Sequence, residues 1–195
     1  MPTELSTTTK GIFALQEFTP SEMQAPILGC RARDILICGG IRGAKSTCST
    51  KLLWIRKQWG VKQRFGLLGA DYRRTTSEFE MLSADAQRMG IWVEKGSTLR
   101  VDPGVILLED GTIIETLSGK DPETVAMHAY DGIIICEAAP CGVEIYRRAQ
   151  ERVSQTRGWI VMSGTLEGSL GWYPKLHLAW LSGSKEHQSF SLPSW

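Results

Sequence analysis

The chain is 195 residues long, 42% apolar and 22% charged, with a formal net charge of +1 at pH 7. That length supports one compact domain burying about 70% of its unfolded surface, and the near-neutral charge argues against a chain that coats nucleic acid by charge alone. Five cysteines with no C-x-x-C pair (Cys30, Cys38, Cys48, Cys136, Cys141) disfavour a zinc knuckle or a secreted disulfide framework, and no apolar stretch approaches the roughly 20 residues of a bilayer span.

In chain order, Thr3 to Lys10 is polar and is expected to be frayed. Helical periodicity follows over Ser21 to Leu28, Lys45 to Trp59, Ser77 to Met89, Val143 to Gln155 and Leu170 to Leu181. Between these lie short β-type runs at Ile35 to Cys38, Arg64 to Gly69, Gly132 to Cys136, Trp159 to Ser163 and Gln188 to Leu192. All but the last are mostly apolar rather than alternating, as strands covered by helices on both faces are. The alternation predicts an α/β fold with a mostly parallel central sheet flanked by helices. Residues 91–118 break the rhythm around the turn formers Asp102-Pro103-Gly104 and Glu109-Asp110-Gly111, and predict an antiparallel β insertion beside the parallel core. Charge is unevenly divided: nine basic residues and one acid lie between Arg42 and Arg74, thirteen acids and four bases between Thr75 and Glu144.

The strongest motif is Gly39-Gly40-Ile41-Arg42-Gly43-Ala44-Lys45-Ser46-Thr47, which leads from an apolar strand into a helix. This is the layout of a phosphate loop. Small residues let backbone N–H groups converge on phosphate oxygens, and the helix offers about half a positive charge at its N-terminus. In such a loop Lys45 bridges the β and γ phosphates, and the Ser46 hydroxyl binds Mg2+ with Thr47 next in line. Ala44 stands where a glycine is usual. The plainer alternative, a glycine turn capped by Ser46, leaves Lys45 and Arg42 without a purpose.

A phosphate loop of this kind needs a carboxylate on a second strand to orient the attacking water. Asp131 to Ala139 qualifies, with four apolar residues followed by Cys136-Glu137. Glu137 is the expected catalytic base; its alternative reading is an acid at a helix N-terminus. Cys136 occupies the usual aspartate position, and a thiol with a pKa near about 8.5 is a poor Mg2+ ligand. Asp131 cannot replace it, because five residues of strand put it roughly 16 Å away. A third strand ends in Ser163-Gly164-Thr165, where a hydroxyl could sense the γ-phosphate or the strand could simply turn.

Together these segments resemble the ATPase domain of the large subunit of tailed-phage terminases, an additional-strand P-loop NTPase. The resemblance covers most of the chain. Phe18-Thr19-Pro20 with Gln24 resembles the family's adenine-recognition element, Gly39 to Thr47 its phosphate loop with Arg42 three residues before the lysine, and Met162 to Thr165 its coupling element. Ser189 to Trp195 resembles the last core segment before a nuclease domain, which is not expected within these residues. The resemblance implies a motor that hydrolyses ATP with Mg2+ and moves double-stranded DNA into a procapsid. Implied partners are a portal protein, a small terminase subunit and a homo-oligomeric ring of further copies, with no membrane, in the cytoplasm of an infected bacterial host. It also implies an arginine finger: Arg42 from the same subunit, or Arg100, Arg147, Arg148 or Arg152 from a neighbour, each of which also reads as a solvated charge. Other readings stay open: a helicase-like or generic P-loop ATPase, a small-molecule kinase, and a degenerate nucleotide-binding assembly module, to which Cys136 points. The tryptophans read as core residues more readily than as base-stacking platforms.

Overall fold

The structure is a computed structural model that describes residues 7–40, 44–120, 125, 127–166 and 171–193. Its order is α1 (Thr7–Leu15), α2 (Ala25–Leu28), β1 (Asp34–Gly39), α3 (Lys45–Arg56), β2 (Arg64–Gly69), a 3-10 turn (Tyr72–Thr75) and α4 (Thr76–Arg88). β3 (Val105–Leu107), β4 (Ile113–Ser118), β5 (Gly132–Ile135), α5 (Val143–Ser154), β6 (Trp159–Gly164), α6 (Trp172–Trp180) and β7 (His187–Leu192) complete it. The strands form one seven-stranded sheet in the order β3-β4-β2-β5-β6-β1-β7. Every neighbouring pair is parallel except β3 with β4.

The mostly apolar runs are explained by two cores, one on each face of the sheet. Because side chains alternate along a strand, Ile35, Ile37, Ile134 and Val161 face a core with α1, α2, α3 and α4. Leu36, Cys38, Ile133, Ile135 and Met162 face a second core, filled by Tyr146, Ala149 and Val153 of α5 and Tyr173 and Trp180 of α6. Cys136, in step with Ile134, falls on the α3–α4 side. Of the tryptophans, Trp54 is fully buried and Trp180 nearly so, while Trp172 stacks on Tyr146 with ring centroids 6.1 Å apart.

Four boundaries differ from expectation. The polar start is ordered from Thr7: Thr9, Ile12 and Phe13 are buried, because one face of α1 packs on α3, and residues 3–6 lie outside the described residues. The helix expected from Ser21 begins only at Ala25, since Pro26 fits the first turn but would clash inside a longer helix. α3 stops at Arg56, with Lys57 extended. The Lys57 ammonium is drawn to Asp110 Oδ2 at 2.5 Å and Thr112 Oγ1 at 3.0 Å. The insertion is more than a ribbon beside the core. β4 extends the main sheet in parallel with β2, with only β3 antiparallel at the edge.

Candidate nucleotide site at the carboxyl edge of the sheet

In open parallel sheets, ligands bind beyond the carboxyl ends of the strands. Here β1 delivers Gly39 and Gly40 to that edge, β6 delivers Ser163-Gly164-Thr165, β5 delivers Cys136-Glu137 and β2 delivers Gly69 to Arg74. β6 lies between β1 and β5, with Cys38 opposite Gly164 and Ile135 opposite Met162. Two inter-strand spacings therefore separate the phosphate-loop strand from the acidic strand, about 10 Å. Thr165 lines a hollow with Gly39 and Gly40, and the Ser163 carbonyl accepts a 2.7 Å hydrogen bond from the Ala138 N–H. The segment Ser163-Gly164-Thr165 thus touches both halves of the site.

Gly39 is confined by its neighbour: a Cβ there would lie 2.5 Å from the Leu192 carbonyl oxygen. Ala44 initiates α3 with φ 55°, ψ 23°, the left-handed conformation that favours glycine. Its backbone follows the conformation of the residue it replaces, at a steric cost of about 1–2 kcal/mol. Lys45 Nζ donates to the Gly40 carbonyl at 2.6 Å, so the ammonium rests on the loop. Ile41, Arg42 and Gly43 lie outside the described residues.

A cleft of about 610 Å3 opens beside the loop, lined by Ser46 of α3, Asp71, Arg73 and Arg74 after β2, Glu78 and Glu80 of α4, and Glu137. Ser46 and Glu137 thus share one cleft. Glu137 adopts φ 48°, a strained backbone for a side chain and one that recurs at functional positions. Its carboxylate accepts a short hydrogen bond from the Arg74 guanidinium, and both side chains are about half exposed. Cys141 Sγ donates to the Glu137 carbonyl at 3.5 Å, while the Trp172 indole N–H donates to the Cys141 carbonyl at 2.6 Å, tying this turn to α6.

Glu78 is 2% exposed. Burial pushes its carboxyl above the ordinary range, against the nearby Ser46 hydroxyl, its own backbone N–H and the Cys136 thiol, which pull it down. Cys136 is fully buried, and burial together with the Glu78 charge drives its thiol pKa far up. It stays a neutral thiol and offers no ligand to a hard cation. The sequence reading missed Glu78 and Arg74. Thr75-Thr76-Ser77-Glu78 has the spacing of a capping box, a local role that hides Glu78. In the fold the Thr75 hydroxyl donates to the Tyr72 carbonyl instead, α4 has no side-chain cap, and Glu78 turns into the cleft.

The adenine element meets the loop helix only in part. Phe18 lines a pocket of about 420 Å3 with Thr47, Thr50 and Lys51, and its ring sits edge-on to Phe13. Gln24 is buried; its Oε1 accepts the Ser21 N–H at 2.9 Å, and its side chain lies beside the buried Cys48 thiol of α3. It closes a turn against α3 and would have to rotate to read a base.

No protein-family model matches the chain, and no curated protein matches it by sequence. Solved structures do. The large terminase ATPase domain of Thermus phage P74-26 superposes with a TM-score of 0.70 at 18% identity, over 92% of this chain and 83% of that one. The fold is that of a phage large-terminase ATPase domain. The large terminase of a second, thermophilic bacteriophage, solved with ADP, matches with a TM-score of 0.65 at 15% identity over 97% of this chain. The chain spans 45% of that protein's length, and another structure of the same terminase was solved with ATP-gamma-S. In this terminase-type sheet β1, β6 and β5, which end in Gly39, Gly164 and Ile135, lie side by side.

The residues present suit Mg2+ in a particular way. Among the described residues no three His, Cys, Asp or Glu side chains form a group able to hold a metal. Hard oxygen donors lining the cleft include the Ser46 hydroxyl and the carboxyls of Asp71, Glu78, Glu80 and Glu137. One or two protein oxygens completed by phosphate oxygens and water is the usual way Mg2+ is held.

Proposed function

We propose that this chain is an ATPase motor domain of a phage DNA-packaging terminase. It converts ATP and water to ADP and phosphate and uses the cycle to drive double-stranded DNA into a procapsid. In this reading it works as a homo-oligomeric ring on a portal protein, with DNA delivered by a small terminase subunit, in the cytoplasm of the infected host. The observation that carries the reading is the shared cleft of Ser46 and Glu137, next to a phosphate-loop sequence in a terminase-type sheet. A helicase-like ATPase shares the chemistry, but the similar structures described above are terminases.

On binding, the Lys45 ammonium exchanges the Gly40 carbonyl for β- and γ-phosphate oxygens, while Gly39 to Ala44 present N–H groups to the phosphates. Ser46 would hold Mg2+, which supplies charge neutralisation on the phosphate oxygens when bound. Glu137 accepts a proton from the attacking water, and for that its lone pairs must be released from Arg74. Thr165 and Ser163 lie where a change at the γ-phosphate passes to the neighbouring strand, and Phe18 packs near the base. Arg42 is the same-subunit arginine that meets the developing charge.

The test separates binding from chemistry. Lys45→Ala is expected to abolish ATP-gamma-S binding in calorimetry. Glu137→Ala should keep binding and stop phosphate release. Normal turnover in either variant overturns the proposal. Specific activity should also climb with protein concentration, as a neighbour's arginine completes the site; high turnover that ignores concentration argues against that contribution.

A further inference from the structure

The acidic strand lacks the carboxylate that usually stands beside the phosphate-loop serine, and Glu78 of α4 lines the same cleft as that serine. We infer that Glu78 of α4 is the carboxylate that holds Mg2+ with Ser46, in place of the side chain at position 136. The inference rests on the nucleotide-site reading above and adds to it a metal-binding residue from outside the two motif strands.

Three observations carry it. Glu78 is 2% exposed yet lines the cleft that Ser46 and Glu137 line, so its carboxyl is turned inward to the site. Ser46, the serine of the phosphate loop, lines the same cleft, and Cys136, at the expected aspartate position, lies close enough to act on the Glu78 carboxyl. It is therefore beside both halves of a metal site. Among the described residues, no cation lies within ion-pair distance of it.

The chemistry explains why the exchange works. A buried carboxylate without a cation is costly, whereas one that faces a divalent ion is stabilised by it. A thiol at position 136 adds no charge beside Glu78, whereas a second buried carboxylate there would repel the first. Strand alternation directs residue 136 to the α4 side of the sheet, which is why a helix can deliver the carboxylate to that point. The ligand has moved from strand to helix while the position of the charge is kept.

The experiment measures ATP-gamma-S affinity by calorimetry in Mg2+ and in EDTA, with no turnover involved. Wild type is expected to bind more tightly in Mg2+. Glu78→Gln should reduce that Mg2+-dependent gain by about 10–100-fold, the usual effect of losing a metal-site carboxylate, with affinity in EDTA unchanged. Glu78→Met, an apolar side chain of similar length, gives the same reading if the glutamine variant folds poorly, and thermal melting checks both. Cys136→Asp in the Glu78→Gln background should restore the gain. A folded Glu78→Gln or Glu78→Met protein that keeps the full wild-type gain overturns the inference while leaving the nucleotide site standing. Failure of the wild type to bind ATP-gamma-S under either condition overturns both.

Discussion

The Arg74 guanidinium holds the Glu137 carboxylate across the mouth of the cleft, joining the turn after β2 to the end of β5. The lone pairs that would accept a proton from water are occupied by an arginine, so the structure shows Glu137 engaged. Since both partners are about half exposed, the pair contributes under about 1 kcal/mol to stability. Its consequence is kinetic. Arg74→Gln is expected to leave the melting temperature almost unchanged and to raise basal ATP turnover, measured as phosphate release. A fall in turnover would show that Arg74 serves the transition state instead.

The left-handed backbone at Ala44 is a local liability. Ala44→Gly removes the clash of Cβ with the backbone, and about 1 kcal/mol of added stability is expected, or roughly 2–4 °C in a protein of this size. Differential scanning calorimetry measures it. ATP-gamma-S affinity should stay as in the wild type, because the loop keeps its path; a lower melting temperature would mean that the alanine methyl makes contacts worth more than the strain.

The buried pair Lys51–Asp85, at 2.6 Å, pins α3 to α4, and the Trp54 indole N–H donates to the same carboxylate at 3.0 Å. Asp85→Ala strands a buried ammonium and an indole N–H. A loss of about 3–5 kcal/mol is expected, read from urea denaturation. Replacing both charges, Lys51→Met with Asp85→Leu, should recover most of it, because the attraction of a buried pair roughly repays its desolvation. Equal losses in the single and double variants would contradict this.

Asp34, at the opposite end of β1 from the loop, sets a pH dependence. Burial raises its carboxyl above the ordinary 3.8, against the Tyr146 hydrogen bond and the His187 and Arg33 charges, which lower it. The native state therefore binds this proton more tightly than the unfolded chain does, and stability falls as pH rises through the window from 3.8 to the raised value. Asp34→Asn keeps an acceptor for the Tyr146 hydroxyl. The variant should be the more stable at pH 7, and its advantage should shrink as pH falls through that window. Urea midpoints across a pH series measure it, and an advantage that grows on acidification would reverse the sign of the argument.

Much of the molecule was legible locally. The β-type runs placed β1, β2, β5, β6 and β7 within a residue or so, and the phosphate-loop motif stands out in the sequence because its chemistry requires consecutive small residues followed by Lys45 and Ser46. Glu137 was legible for the same reason: a buried strand that ends in a carboxylate is a local pattern. The sequence by itself therefore determined the element types, the two motif strands and the departure at Cys136. Tertiary structure alone decided that β4 joins the main sheet, that α2 starts only at Ala25 and α3 stops at Arg56 where periodicity would extend both, and above all which side chains meet at the cleft. Glu78 is 58 positions from Cys136 and Arg74 is 63 from Glu137, and neither pair follows any local period. Strand order sets β2 next to β5, and side-chain alternation turns residue 136 toward α4. These are long-range choices, made by packing two apolar faces of one sheet, and no window of neighbouring residues carries them.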